Sequence, residues 1–373
     1  MLSAVKSLVS IFTTVTILFF NICGFTGYKG TDHVDYRTYK NVILMIGDGM
    51  GFNTIAATKK LKNTGVAMDN MPVLCESNTR SITNEVTDSA AGGTALATGT
   101  RTYNGAIGVY LLNPLGNFID VPKNLCELAK ENGKSAGVVT TDKTSGATPA
   151  SFSSHSVGRG FEFDISIDQM TSDLDLIWGA ESDTVSEWMC DINGFDLISS
   201  TEEMNALKPG SRSFGQFKFN DFATVSHDNG TPYISEMTTK AIELLNANEN
   251  GFFLMVEGAQ IDKFSHSQNF DGSTTQLVEF SKAVQVALDF AKADGDTLVL
   301  VTADHETGGI QYNSESDEYY YTKGSHTGVN VPAYVSAIDA GFISGEVYKN
   351  CEISTQLARV MGFDKSQFPA LKG

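Results

Sequence analysis

Four uninterrupted apolar runs constrain the fold of this chain more than any other feature. They are NVILMIG (residues 41–47), SAGVVTT (135–141), FFLMVEG (252–258) and TLVLVTADH (297–305). Polar and apolar residues do not alternate in them, which is typical of strands that are buried on both faces of a sheet. Helical patterns lie between them, over residues 124–132, 233–247 and 274–293. This alternation predicts an α/β fold, a three-layer sandwich with a large, mostly parallel central sheet covered by helices on both faces.

Carboxylates and histidines follow the ends of three of these runs. Ligands of parallel α/β folds bind at the carboxyl ends of the strands, so we expect these side chains to meet at one edge of the sheet. Histidine together with carboxylate is a ligand set that suits zinc. The set is large enough for two zinc ions and consists of Asp48, Asp262, His266, Asp304, His305 and His326.

The segment TDSAAGGTALATG (residues 87–99) contains the candidate nucleophile. Ser89 follows Asp88 directly and precedes small residues that can form a helix. At the N-terminus of such a helix, unpaired amide groups and the helix dipole favour an anion. A serine hydroxyl is a poor nucleophile at neutral pH, but a zinc ion would lower its pKa so that it attacks without a histidine base. Asp88 is explained equally well as the N-cap of the helix.

The charge balance argues against one class of partner. The chain has 26 lysines and arginines against 44 aspartates and glutamates, a formal net charge of −18. No basic run offsets this charge, so we expect no binding to nucleic acid. We predict one domain over residues 40–373, in which residues 160–250 form an acidic decorating segment.

Residues 1–25 are interpreted as a signal peptide. Lys6 precedes an uncharged apolar run over residues 8–20, whose length suits a signal peptide better than a spanning helix. We therefore expect an exported protein, periplasmic or extracellular, without a stable membrane span in the mature chain. Lipidation at Cys23 stays an open alternative. Export would permit disulfides, and three full pairings are open to Cys75, Cys126, Cys190 and Cys351.

Six stretches of the chain together resemble the alkaline phosphatase family. In the order of the family, they are VILMIGDGMG, TDSAAGGTALATG, GATPASFSSHSVGRG, VEGAQIDKFSH, VTADHETGG and GSHTG, from about Asn41 to His326. The resemblance implies a bacterial-type enzyme that hydrolyses small-molecule phosphate monoesters through a phosphoserine on Ser89, with two zinc ions and one magnesium ion. The stretch 306–321 is short, so the form is compact and lacks a large insertion at the dimer interface of longer members. A homodimer stays open.

The resemblance also implies roles for individual residues. Arg159 would be catalytic beside Ser89 and clamp two phosphate oxygens, which suits its planar guanidinium. Substrate binding is assigned to Asp88, Arg159 and Lys263. The first zinc would be held by Asp262, His266 and His326, and the second by Asp48, Asp304 and His305. The magnesium ligands would be Asp48, Thr148 and Glu257.

Gly146 departs from the pattern of the family. It stands where other members have an Asp or His that supports magnesium, so we expect a weakened magnesium site. The competing interpretation is that a nearby group, Asp142 or Lys143, takes over this role.

Two other functions agree less well with the sequence than that of the alkaline phosphatase family. A sulfatase needs C-x-P-x-R at the nucleophile, and none of the five cysteines begins that pattern. An exported metal-binding protein without catalysis would have an altered nucleophile or clamp, whereas Ser89 and Arg159 are present. A phosphodiesterase or other member of the same metal-dependent superfamily stays open as the alternative.

Overall fold

The computed structural model describes residues 36–82, 85–111, 118–225, 230–363 and 367–368 of the 373-residue chain. The predicted signal peptide over residues 1–25, with Cys23, lies outside the described residues. Within those residues, no helix combines the length and the apolar character needed to cross a membrane.

The strands vary from long central elements to two-residue bridges. They are β1 (Asn41–Gly47), β2 (Val73–Asn78), β3 (Tyr110–Leu111), β4 (Phe118–Asp120), β5 (Ser135–Lys143), β6 (Leu176–Ala180), β7 (Asp196–Ile198), β8 (Ser213–Phe217), β9 (Phe252–Gly258), β10 (Thr297–Thr302), β11 (Glu306–Thr307), β12 (Gln311–Asn313), β13 (Glu318–Tyr320), β14 (His326–Thr327), β15 (Val331–Val335) and β16 (Val347–Lys349).

The helices alternate with these strands along the chain. They are α1 (Phe52–Leu61), α2 (Ser89–Thr98), α3 (Leu125–Glu131), α4 (Ala147–Ser151), α5 (Glu162–Thr171), α6 (Glu187–Ile192), α7 (Thr201–Ala206), α8 (Phe219–Thr224), α9 (Ile234–Leu245), α10 (Gln260–His266), α11 (Phe270–Asp294) and α12 (Asn350–Val360). The three predicted helical stretches correspond to α3, α9 and α11.

The central sheet has ten strands in the order β16-β2-β15-β10-β1-β9-β5-β6-β8-β7. Only β15 runs antiparallel to its neighbours, β10 and β2, among the strand pairs of this sheet in the described chain. The four apolar runs form the adjacent strands β10, β1, β9 and β5. The bounds predicted for β1 and β9 are confirmed, whereas β5 extends to Lys143 and β10 ends at Thr302.

The sheet is buried on both faces because its central strands carry apolar side chains on both of their sides. In β1, Val42, Leu44 and Ile46 pack into one hydrophobic core, to which α2, α3 and α12 contribute. Ile43 and Met45 face the opposite core, to which α1, α9 and α11 contribute. Each fully buried side chain of this size contributes about 1.5–3 kcal/mol, so both faces need a helical cover. The predicted three-layer α/β sandwich is confirmed.

Residues 160–250 include the strands β6, β8 and β7, which form one edge of the central sheet. The predicted division into a domain over 40–373 with an acidic decorating segment stays a prediction. Between β11 and β14 lies the short hairpin of β12 and β13. No disulfide joins the four cysteines in the described residues: Cys75, Cys126, Cys190 and Cys351 are free thiols.

Candidate active site

The register of the central strands gathers the predicted ligands at one edge of the sheet. Ile46 of β1 pairs with Thr302 of β10 and with Glu257 of β9. Asp48 lies two residues after Ile46, and Asp304 lies two residues after Thr302. The carboxyl ends of three neighbouring parallel strands therefore carry the carboxylates, as the sequence predicts.

One group of candidate ligands consists of Asp262, His266 and His326. Helix α10 places the first two one turn apart, and Asp262 Oδ2 lies 3.3 Å from His266 Nε2. His326 comes from β14, and its Nε2 lies 3.0 Å from His266 Nε2 and 3.7 Å from Asp262 Oδ1. The hydrogen bond with Asp262 is the main cause that raises the pKa of His266 to about 9. The proton on His266 therefore links side chains that could also bind a metal cation.

The other ring nitrogens of these histidines face backbone oxygens. His266 Nδ1 lies 2.9 Å from the carbonyl oxygen of Gly324, and His326 Nδ1 lies 3.0 Å from that of Thr87. A carbonyl oxygen only accepts hydrogen bonds, so each Nδ1 carries a proton. Such a contact fixes the ring orientation of a metal ligand and leaves Nε2 available.

A second group of candidate ligands surrounds His305 and is almost completely buried. His305 Nε2 lies 3.5 Å from Asp48 Oδ1 and 3.2 Å from Asp304 Oδ2, and Asp262 also belongs to this group. Asp48 Oδ1 and Asp304 Oδ2 have no hydrogen-bond partner in the described residues. Buried carboxylate oxygens without partners are costly, and a bound cation would satisfy them.

Electrostatics also indicates that positive charge belongs here. Burial is the main cause that raises the pKa of Asp48 well above its ordinary value, and the negative charges of Asp304, Asp262 and Glu257 add to it. Burial lowers the pKa of His305, which favours the neutral ring that a metal requires. Four carboxylates at one sheet edge repel one another unless cations lie between them.

The third predicted site lies around Glu257. The hydroxyl of Thr140 donates a hydrogen bond to Glu257 Oε2. Burial, the largest influence, raises the pKa of Glu257 to about 8, and the charge of Asp142 also raises it, whereas the hydroxyls of Thr140 and Thr148 oppose the shift. Thr148 therefore lies near Glu257, but its buried hydroxyl oxygen forms no hydrogen bond of standard geometry with the described residues.

Ser89 is the first residue of α2, directly behind the N-cap Asp88. Its hydroxyl is buried and lies 3.1 Å from His305 Nε2. The small residues of α2 permit this position, because a Cβ atom at Gly92 would lie 2.9 Å from the backbone oxygen of Asp304. The helix thus approaches the end of β10 closely, and Ser89 meets the candidate ligands.

The side chain of Asp88 has two functions in the structure. Its Oδ1 accepts a hydrogen bond from Ala91 N at 3.0 Å, which confirms the N-cap interpretation. Its Oδ2 lies 3.2 Å from Arg159 Nη1, and the backbone N–H of Gly105 also donates to the carboxylate. The side chain of Arg159 is 45% exposed, so Arg159 is held by Asp88 and is still accessible to a ligand.

Lys263 lies on α10 beside the same edge and pairs with Asp142, Nζ to Oδ2, at 2.8 Å. The sequence missed one further residue of the site. Thr307 Oγ1 donates to Asp262 Oδ1 at 2.5 Å and lies 3.2 Å from His305 Nδ1. It orients one ligand of each group, and its position in the segment TADHETGG was the available signal.

Comparisons with known proteins agree with this geometry. A family model described as alkaline phosphatase matches residues 39–176 and 179–330. Alkaline phosphatase 4 of Bacillus subtilis (strain 168) is 33% identical over 326 residues, which cover 81% of this chain and 69% of that protein. The solved structure of alkaline phosphatase from the Antarctic bacterium TAB5 is 31% identical, has a TM-score of 0.75 and matches 88% of this chain and 99% of its own. A mutant of the TAB5 enzyme, 30% identical with a TM-score of 0.74 and the same coverage, has Mg bound in the M3 site.

Proposed function

This chain belongs to the alkaline phosphatase family and is a metal-dependent hydrolase of phosphate monoesters, and we propose that Ser89 is its nucleophile. The observation that supports this assignment is the 3.1 Å distance from Ser89 Oγ to His305 Nε2, at the buried start of α2. The hydroxyl is thereby in contact with a candidate metal ligand. A phosphate group bound in front of it would also meet the N-terminus of α2, where free amide groups favour an anion.

The donor sets around Ser89 fit three cations. We assign one zinc ion to Asp262, His266 and His326, and a second to Asp48, Asp304 and His305. Magnesium is assigned to Asp48, Thr148 and Glu257. The buried oxygens of Asp48, Asp304 and Thr148 that lack partners in the described chain support these assignments. The mixed histidine and carboxylate sets suit zinc, and the all-oxygen set suits magnesium.

Bound zinc would supply the Lewis acidity that lowers the pKa of the Ser89 hydroxyl and stabilises negative charge on the leaving oxygen. Ser89 Oγ attacks phosphorus, the bond from phosphorus to the ester oxygen breaks, and the alcohol leaves. Water then attacks the phosphoserine from the opposite side and releases inorganic phosphate and free Ser89. Both displacements are in line, so catalysis depends on how the phosphoryl group is held.

The cationic side chains hold that group. Arg159 presents a planar pair of donors that can bind two phosphate oxygens, and Asp88 fixes one nitrogen of the guanidinium from behind. Lys263 adds a positive charge, and its pairing with Asp142 orients the ammonium group. These local charges offset the net charge of −18, which is distributed over the chain.

The preference for monoesters over diesters tests this proposal at the level of substrate. We expect p-nitrophenyl phosphate to be turned over far faster than its bis ester, because Arg159 and the N-terminus of α2 require free phosphate oxygens. Ser89→Ala should abolish most turnover of both substrates if both use the same site. Equal or faster turnover of the bis ester by the wild-type protein would contradict the proposal and favour the phosphodiesterase alternative.

Export to the periplasm or the extracellular space and a homodimeric state also remain proposals. Neither proposal depends on the geometry of the candidate active site, and neither affects the assignment of Ser89. Amino-terminal sequencing of the exported protein and sedimentation in solution would test them.

A further inference from the structure

Gly146 has no side chain, but a carboxylate fills the space beside it. A Cβ atom at Gly146 would lie 3.0 Å from Asp142 Oδ2 and 2.9 Å from the carbonyl oxygen of Lys143. Gly146 is the N-cap of α4 with a φ of −56°, which other residues also adopt. The torsion angle therefore does not require glycine at this position, but the carbonyl oxygen of Lys143 and the carboxylate of Asp142 together leave little room for a side chain.

Asp142 reaches this space from the carboxyl end of β5. The pairing of β5 with β6 is irregular between Val139 and Lys143, and such irregularities redirect side chains at strand ends. The backbone N–H of Asp142 donates to Thr140 Oγ1 at 2.9 Å, and that hydroxyl in turn donates to Glu257. A short chain of hydrogen bonds thus links Asp142 to the candidate magnesium ligand.

The charge of Asp142 acts on both neighbours of the site. After burial, it is the largest cause that raises the pKa of Glu257. Burial lowers the pKa of Lys263, but the charge of Asp142 and the hydrogen bond with it outweigh burial and raise that pKa. The geometry agrees, since Asp142 Oδ2 pairs with Lys263 Nζ at 2.8 Å and the backbone of Asp142 is linked through Thr140 to Glu257.

We propose that Asp142 is the positioning carboxylate of the magnesium site and replaces the side chain that Gly146 lacks. The inference rests on the proposed magnesium site of Asp48, Thr148 and Glu257. Magnesium keeps several water molecules and binds directly to only one or two carboxylates. A further carboxylate that accepts hydrogen bonds from those waters orients them, and Asp142 supplies this acceptor from β5.

The test measures magnesium binding in the zinc-loaded full-length protein in two ways. One readout is the magnesium concentration that gives half-maximal activity, and the other is the magnesium-induced rise in the thermal midpoint without substrate. Asp142→Asn keeps the shape of the side chain but removes its charge, and should raise half-saturation about 10–100-fold in both readouts. Zinc content should not change. The matched control is Glu162→Gln, since Glu162 is a nearby surface carboxylate that pairs with Lys143 at 3.3 Å, and it should behave as wild type.

A second-site rescue makes the result specific. Asp142→Ala should weaken magnesium binding, and adding Gly146→Asp to it should restore part of the binding, because the new carboxylate enters the space that Asp142 leaves once its Cβ atom has shifted away from the carbonyl oxygen of Lys143. Gly146→Asp alone should not tighten binding, since it brings two carboxylates together. The inference is overturned if the Asp142 variants match Glu162→Gln, or if Gly146→Asp alone binds magnesium more tightly than wild type. A wild-type protein without any response to magnesium would instead overturn the proposed magnesium site itself.

Discussion

The Nε2 atoms of His266 and His326 face each other at 3.0 Å, while each Nδ1 faces a backbone carbonyl oxygen. Proton positions follow from these partners. Neutral rings must carry their protons on Nδ1, so two nitrogen lone pairs point at each other beside Asp262. This arrangement is repulsive unless a proton or a metal ion lies between the rings. The contact is therefore the clearest sign that α10 and β14 are arranged around a cation.

Removing the metals should lower activity and stability together. Ions that bind only the folded state stabilise it, by about 2.7 kcal/mol when their free concentration is 100 times the dissociation constant. We expect EDTA treatment to abolish turnover of p-nitrophenyl phosphate and to lower the thermal midpoint, and zinc to restore most of both. A dialysed sample with no detectable metal and unchanged turnover would disprove the metal sites.

Two substitutions at Asp88 should separate its roles as a helix cap and as the partner of Arg159. Asp88→Ala removes the oxygen that accepts from Ala91, so the free energy of unfolding should fall by about 0.5–2 kcal/mol. Asp88→Asn keeps an oxygen for the cap but loses the charge next to Arg159. In both variants the dissociation constant for inorganic phosphate should differ from that of the wild type. Only Asp88→Ala should have a clearly lower free energy of unfolding, measured by urea denaturation. Equal destabilisation by the two variants would contradict the cap.

The ion pair between His155 and Glu127 should make stability depend on pH. Their side chains meet at 2.8 Å. Burial is the largest single influence on both groups, but the hydrogen bond between them, their charge attraction and their backbone hydrogen bonds together outweigh it, so the pKa of His155 is raised and that of Glu127 is lowered. The stabilisation from His155 is fully present below its ordinary pKa of 6.5 and is lost as pH rises through the raised value. That from Glu127 is present above 4.5 and is lost as pH falls through the lowered value.

The pair should therefore stabilise the protein most between those two ordinary values. His155→Gln should reduce the free energy of unfolding more at pH 6 than at pH 9.5, measured by urea denaturation at one fixed zinc concentration. The substitution is made at His155 because Glu127 also caps α3 through Asn124. A difference between variant and wild type that is the same at both pH values would show that the pair contributes no charge-dependent stability.

The central fold was predictable because its signal is local. Apart from Asn41 and Glu257, β1 and β9 consist of apolar residues and glycine, a composition typical of strands that are buried on both faces, and their bounds match the prediction. The edge strands β7 and β16 are three residues long and partly exposed, so no run of apolar residues marks them. Their positions depend on pairing with distant strands, which a single sequence does not reveal.

The residues of the candidate site likewise fall into those that a local sequence signal predicts and those whose positions depend on distant contacts. The start of α2 at Ser89 follows from the local signal of Asp88, and the ligands follow from strand ends. Arg159 was assigned only by family resemblance, because its position depends on a backbone bond to Gly105 and on Asp88, both distant in sequence. The sequence predicted a magnesium site weakened by Gly146, with compensation by Asp142 or Lys143 as the competing interpretation. In the structure, the carboxylate of Asp142 lies beside Gly146. This packing, which a single sequence does not reveal, favours Asp142 over Lys143 as the compensating group.

The central claim is that Ser89 carries the phosphoryl group, and acid-quenched trapping tests it most directly. Wild-type protein and Ser89→Ala would be incubated with inorganic phosphate at low pH, quenched and digested, and the tryptic peptide 81–101 would be fragmented in a mass spectrometer. We predict phosphate on Ser89 in the wild type. We predict none on this peptide in Ser89→Ala, with most turnover lost and zinc content unchanged because the ligands lie elsewhere. A Ser89→Ala variant with near wild-type turnover, together with no phosphoserine in the wild-type peptide, would remove Ser89 from the mechanism.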